Sequence, residues 1–505
     1  MTEQEFNALV TQGYNRIPVV LETFADLDTP LSIYLKLANK PYSFLLESVI
    51  GGERFGRYSI IGLPAREWIQ ICGQEVSVIR AKAGKYSSGT ETVEHVFVKD
   101  PLSFIEKYRA KIKAAPVTNP LRFGGGLAGY FSYDVVRFIE PKLSPEIANG
   151  RTQLDPINVP DAILMLSDEV AVVDSLSGKL YLIVYADATQ PDSLAKANRR
   201  LAELRLGLRQ PAALPVYVPT KNVPEPVSDI GEAAYLKAAA RCKQYIVDGD
   251  LMQVQISQRL SQPFDAPPIN LYRALRSINP SPYMFYFDMG EFHIVGASPE
   301  ILVRQEGKKI TLRPIAGTRK RGATPEEDKA LEKELREDPK ELAEHLMLID
   351  LGRNDVGRVA KIGSVKVTEQ MVVERYSHVM HLVSNVEGEI KDGIGPIELL
   401  RATFPAGTVT GAPKVRAMQI IDELEPSKRG IYAGAAGYIG FNDNMDLAIS
   451  IRTGVVKNGM LYVQAAAGIV ADSVPQLEWQ ETQNKARALL RAAELVASGL
   501  DTNEA

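Results

Sequence analysis

The chain has 505 residues, 45% of them apolar and 24% charged, and a net charge of −4. That is ordinary globular composition, long enough for about three domains at roughly 150 residues each, or for one large α/β unit with a smaller companion. The acidic balance argues against a nucleic-acid binder, which needs a basic domain or stripe. No run of ~18 apolar residues is present that could span a membrane.

The opening MTEQEFNALV is acidic and lacks the basic-then-apolar pattern of a secretory signal. Residues 1–206 read as mixed strands and helices, with AILML (162–166) and LYLIVYA (180–186) as strands. Pro215, Pro219, Pro224 and Pro226 mark 207–228 as a Pro-rich linker to a second region, 229–498. Residues 230–249 carry helical apolar spacing and end at a glycine. VQISQRL, MFYFDM, FHIVGA and ILVRQ follow as strands. TPEED opens one long charged helix predicted over 325–352. Strands return near 364–389 and 432–470, and an amphipathic helix from Pro475 closes the chain. Cys72 and Cys242 are far apart and outside any C-x-x-C motif, so neither a disulfide framework nor a zinc site is expected; a reducing, cytoplasmic setting fits.

Two constellations could carry chemistry. Glu341 and Glu344 are spaced i, i+3 on a predicted helix, and so are Glu478 and Glu481, with Lys485 one turn further on. Such pairs supply the oxygen ligands that a hard cation such as Mg²⁺ takes, although glutamate pairs on helices are as a rule simply solvated. The missing Glu-x-x-His element argues against a di-iron site. The second constellation is a set of small-residue turns: Ala316-Gly317-Thr318, Ala406 to Gly411, and Ala465 to Gly468. Small residues let backbone N–H groups approach an anion, and Arg452 could pair with a carboxylate; tight turns alone would also explain them. Of the five histidines (His95, His293, His345, His378 and His381), His381 stands out as a general acid or base. No nucleotide-binding, serine-hydrolase or zinc-protease motif is present.

Several segments together resemble the chorismate-utilising enzymes, in their anthranilate-forming branch. They are SFLLESVIGGERFGRYSIIG, NPSPYMFYF, GASPEILV, RPIAGTRKRG, ELAEHLMLIDLGRNDVGRV, VMHLVSNVEG, FPAGTVTGAPKVRAMQIIDELE, RGIYAGAAGYIG, LAISIRTG and DSVPQLEWQETQNKARA, in family order from about residue 40 to 490. The resemblance implies an α/β (α+β) chain, a layered sandwich of two β-sheets flanked by helices, the anthranilate synthase-like fold. It implies conversion of chorismate and ammonia to anthranilate and pyruvate, the first step of tryptophan biosynthesis, with Mg²⁺ as cofactor. Glu300, His381 and Thr408 are the implied catalytic residues. Gly317, Thr318, Tyr432, Arg452, Ala466, Ala467, Gly468 and Lys485 would contact chorismate, and Glu341, Glu344, Glu478 and Glu481 would hold the metal. Ala466 departs from the glycine that many relatives have. Ser48, Pro282, Tyr283 and Met284 match segments that bind L-tryptophan as a feedback inhibitor.

The branch rests on two positions. The sister aminodeoxychorismate synthase component I, the alternative reading, carries a nucleophilic lysine where this chain has Ala316. Water-adding relatives place a base-like lysine at Gln253, where glutamine cannot serve as a base. A tryptophan-sensing module without activity is a third reading, which the retained glutamate pairs and His381 disfavour. Neither cysteine has an amidotransferase context, so the resemblance also implies a separate glutamine amidotransferase subunit (component II), in a heterotetramer.

Overall fold

The computed structural model of the chain describes residues 1–49, 56–81, 92–117, 121–144, 153–219, 223–376 and 379–500; His378 and part of the segment after Ser48 lie outside them. Among the described residues run two antiparallel sheets of twelve strands each. The first follows the order Arg16–Phe24, Lys179–Asp187, Glu169–Asp174, Tyr58–Gly62, Ser43–Glu47, Tyr283–Asp288, Phe292–Ser298, Thr453–Lys457, Met460–Ile469, Gln253–Pro263 and Val227–Ser228, with Gly411–Ala412 paired to Gln253–Pro263. The second follows Ile315–Lys320, Val379–Glu389, Lys309–Leu312, Ile301–Glu306, Met445–Ile449, Ala435–Gly440, Gly126–Phe131, Ala162–Ser167, Glu67–Cys72, Glu75–Arg80 and Thr92–Phe97, with Lys366–Arg375 on the far side of Val379–Glu389. Both sheets pass without a break from strands before residue 206 to strands after residue 228.

The side-chain alternation of a strand builds the layers. In Tyr283–Asp288, Met284 and Tyr286 join a core shared with the helices Pro268–Ile278 and Pro475–Ala497, whereas Phe285 and Phe287 face Trp68, Tyr130 and Tyr438 of the other sheet. A third core lies on the outer face of the second sheet, where Val386, Leu447 and Leu164 meet Ile349 and Val356 of Pro339–Val359 and Leu400 of Pro396–Thr403. The order is helix, sheet, sheet, helix, as the fold expectation required. Strands covered on both faces read as unbroken apolar runs: every residue of Ala162–Ser167 is buried.

The long helix predicted over 325–352 is instead two, Pro325–Glu337 and Pro339–Val359. Pro339 disfavours helical geometry in the residue before it. Asp338 accordingly takes φ −72°, ψ 111°, and its carboxylate caps the second helix by accepting from the Lys340 and Glu341 N–H groups. The break places Glu341 in the first turn of a helix. Pro475 does the same for Glu478 in the helix Pro475–Ala497. No helix among the described residues is long and apolar enough to cross a membrane.

Candidate active site

Glu300 sits between the strands Phe292–Ser298 and Ile301–Glu306 and is buried. Burial pushes its carboxyl up from 4.5 to about 8, against the opposing pull of the Thr408 hydroxyl, the Ile315 N–H, Arg452 and Lys485. The Thr408 Oγ1 is itself buried and finds no partner of good hydrogen-bond geometry, so it leans toward Glu300 without closing a bond. Arg452 keeps part of its surface open but is packed deeply enough that desolvation lowers its pKa; Glu300 and Tyr376 are the charges that oppose this. Its backbone is left-handed, φ 49°, an uncommon conformation for a residue with a side chain, and such strain clusters at functional sites.

Opposite lies His381, paired in register with Thr318 across the strands Val379–Glu389 and Ile315–Lys320. A bulge between Ala316 and Thr318 turns the Gly317 carbonyl toward it. Nδ1 of His381 lies 3.0 Å from the Gly317 oxygen and 3.1 Å from Thr318 Oγ1. A carbonyl oxygen only accepts, so Nδ1 carries the proton and Nε2 keeps its lone pair. Desolvation, with Arg452 nearby, lowers the imidazole to about 4 and keeps it neutral. Gly317 has φ +61°, and a Cβ there would stand 2.8 Å from Leu335 Cδ1 and 3.3 Å from Glu341 Oε2. Both the turn and the closeness of Glu341 therefore call for glycine.

The strand Met460–Ile469 brings the remaining small residues. Lys485 Nζ donates to the Ala466 carbonyl at 2.9 Å and pairs with Glu481 at 2.6 Å. The Ala466 N–H is directed to the hydroxyl of buried Tyr432. Ala467 is fully buried, and Gly468 lies against Gln253 and Gln255, whose amide nitrogens would stand 2.6 and 2.8 Å from a Cβ there. Gln253 donates to Glu344 Oε1 at 2.9 Å. Gln253 thus stands between the first glutamate pair and the small-residue strand.

The two glutamate pairs sit on the facing ends of Pro339–Val359 and Pro475–Ala497. Desolvation raises Glu341 and Glu478, and the like charges of Glu344 and Glu481 raise them further; Lys340 acts on Glu478 from across the gap. Glu341 Oε1 also meets Arg319 Nη1 at 3.2 Å. Among the described residues no three acidic, histidine or cysteine side chains converge on one point as a formed metal site. In donor chemistry the pairs do fit a hard cation: all the ligands are oxygens, and each pair holds like charges that a cation would relieve.

A second cavity lies between the sheets. Ser48, Pro282, Tyr283 and Met284 all line it, beside Arg122, Arg304, Tyr438 and Asp446. Ser48 Oγ and Asp446 Oδ1 are buried in its wall without partners. Arg304 spans Asp446 (2.9 Å) and the Tyr283 hydroxyl (2.9 Å). The sequence reading did not single out Arg122, Arg304 or Asp446, because strands distant in sequence bring them here. It also missed Glu425 and Arg429, although their i, i+4 spacing beside RGIYAG was a usable signal.

A profile of the chorismate binding enzymes matches residues 63–491. The chain belongs to that family. It is 56% identical to the anthranilate synthase component 1 of Neisseria meningitidis over 501 residues, 99% of this chain and 100% of that protein. Among solved structures, anthranilate synthase component I from Streptococcus pneumoniae matches with a TM-score of 0.74 at 35% identity, over 92% of this chain and 98% of that one. The menaquinone-specific isochorismate synthase of Escherichia coli, 18% identical, shares the fold with a TM-score of 0.68 over 97% and 98% of the two chains.

Proposed function

We propose that this chain is the chorismate-converting component of an anthranilate synthase, turning chorismate and ammonia into anthranilate, pyruvate and water. The observation that carries this reading is Glu300. A carboxyl held near 8 is protonated at neutral pH and can give its proton to the ring hydroxyl that departs as ammonia adds at ring carbon two. Arg452, Lys485 and the backbone around Gly317, Thr318 and Ala466–Gly468 suit the two carboxylates of chorismate, with Tyr432 beside them. The neutral imidazole of His381, its Nε2 free, takes the proton from ring carbon two as the enolpyruvyl group leaves and the ring becomes aromatic. Thr408 steadies the Glu300 carboxyl. Glu341, Glu344, Glu478 and Glu481 would hold Mg²⁺, which when bound neutralises the ring carboxylate and draws electron density as the hydroxyl departs.

Ala316 leaves only a methyl group beside the Gly317 bulge, which disfavours the aminodeoxychorismate reading, and Gln253 disfavours addition of water. Ammonia comes from a glutaminase subunit in a heterotetramer, in the reducing cytoplasm that suits two free cysteines. Residues 229–498 carry the chorismate site, 207–228 connect, and 1–206 bring the tryptophan-binding segment. In the second cavity, Ser48 Oγ and Asp446 Oδ1 offer acceptors to the ammonium of L-tryptophan and the apolar walls take the indole. The test mixes the purified chain with chorismate, Mg²⁺ and an ammonium salt at about pH 8, the range where Glu300 still holds its proton, and follows anthranilate fluorescence. Emission that tryptophan suppresses, with none from glutamine alone, is expected. Chorismate consumed without emission, or turnover of glutamine by this chain alone, would overturn the reading.

A further inference from the structure

Under the floor of the site lies the most deeply buried ion pair among the described residues, Arg429 with Glu425, whose side chains are 1% and 2% exposed. Arg429 Nε donates to Glu425 Oε2 at 2.9 Å and Nη2 to Oε1 at 2.7 Å. The rest of the fork reaches backbone: Nη1 donates to the Val409 carbonyl at 2.6 Å and Nη2 to the Gln255 carbonyl at 2.8 Å. Glu425 Oε1 accepts from both the N–H and the hydroxyl of Ser257, each at 2.8 Å. Above the guanidinium, the Tyr432 ring centroid lies at 5.7 Å.

Each partner is one step from a site residue. Val409 follows Thr408. Gln255 abuts Gly468 and shares a strand with Gln253. Ser257 pairs in register with Ala466, and Gln464 of that same strand donates to the Ser257 hydroxyl at 2.8 Å. A buried ion pair is a poor source of stability, because apolar residues of similar volume often serve as well or better. What an apolar pair lacks is a rigid fork that fixes several carbonyls at once.

We infer that Arg429, locked by Glu425, is a positioning residue that registers the Thr408 turn, the Gln253–Pro263 strand and Tyr432 against one another for the reaction. The inference rests on the site reading above. Its test is the double variant Arg429→Met/Glu425→Met in the full-length chain, with Arg429→Lys beside it. The double variant keeps its secondary structure at a lowered thermal midpoint, because the Val409 and Gln255 carbonyls and the Ser257 N–H each lose a partner. Its kcat falls about 100-fold, the cost of a misplaced constellation, while chorismate affinity falls only several-fold. Arg429→Lys keeps the charge but not the fork and loses about tenfold in kcat. A folded double variant with kcat and affinity within threefold of wild type would overturn the inference. Should the double variant not fold, Arg429→Lys decides: wild-type kcat overturns it, and a tenfold loss at an unchanged thermal midpoint supports it. Should the wild type make no anthranilate, the functional reading fails, and titration with chorismate judges the pair separately: unchanged affinity in a folded variant overturns it.

Discussion

Glu300→Gln separates the stability of this protein from its activity, in opposite directions. The carboxyl of Glu300 is buried and pushed from 4.5 to about 8. A folded-state pKa above the unfolded value means that the folded protein holds a proton that the unfolded chain releases. Its contribution is fully present below 4.5 and is lost progressively as pH rises, until it levels off above about 8. The loss runs at about 1.4 kcal/mol per pH unit, so the 3.5 units between 4.5 and about 8 correspond to about 5 kcal/mol. Glutamine fits the same space and does not titrate. The stability of E300Q relative to wild type should therefore rise by about 3 kcal/mol between roughly pH 5.5 and 7.5. Urea unfolding of both proteins at the two pH values measures this. Activity should go the other way: E300Q should lose about 10²–10⁴ in kcat, the usual worth of a general acid. With rates referred to unprotonated ammonia, wild-type kcat/KM should decline above about pH 8. A stability difference that does not change with pH, together with no alkaline decline, would refute both the raised carboxyl and its role as acid.

Ser48→Phe should fill the second cavity, keep anthranilate formation within about threefold, and raise the tryptophan concentration for half-inhibition more than tenfold, because the zwitterion loses both space and an acceptor; unchanged inhibition would place the inhibitor elsewhere. His381→Gln should slow aromatisation about 10²-fold or more and let an aminated, non-aromatic ring compound accumulate, visible by chromatography. Mg²⁺ should raise the thermal midpoint of the wild type but not of Glu344→Gln/Glu478→Gln, which removes one carboxylate from each pair; equal shifts in both would discard these ligands. Ser298→Ala should weaken tryptophan inhibition more than tryptophan binding, read by a titration alongside the inhibition curve. Ser298 Oγ is bonded to the Glu300 backbone, and the Ser298 carbonyl to Ser281 beside the cavity.

Strand positions were legible because strands covered on both faces, such as Ala162–Ser167, are unbroken apolar runs. The closing helix was legible from its amphipathic spacing and Pro475. The single helix expected over 325–352 was misread because its charge and propensity continue across Asp338, while the one residue that breaks it, Pro339, acts backwards on its neighbour. The proposed catalytic set had a different kind of legibility. Glu300, His381 and Arg452 carry no spacing that relates them, and only the resemblance to a family put them together. Nothing local in SPE raises a carboxyl to about 8; burial by the fold does.

How the two halves of the chain interlock was not legible at all, and the regulatory reading depends on it. Strand Ser43–Glu47, just before Ser48, pairs with Tyr283–Asp288, which pairs with Phe292–Ser298, two residues short of Glu300. The Val49 N–H donates to the Ser281 carbonyl at 3.2 Å, and the Ser281 hydroxyl donates to the Ser298 carbonyl at 2.5 Å. The Ser298 hydroxyl in turn donates to the Glu300 carbonyl at 3.2 Å. Segments about 240 residues apart in sequence thus meet within a few hydrogen bonds, so a ligand that shifted the cavity wall would act on the strand that leads to Glu300. A separate sensing domain joined by a linker would need a moving interface to reach Glu300; a shared sheet does not.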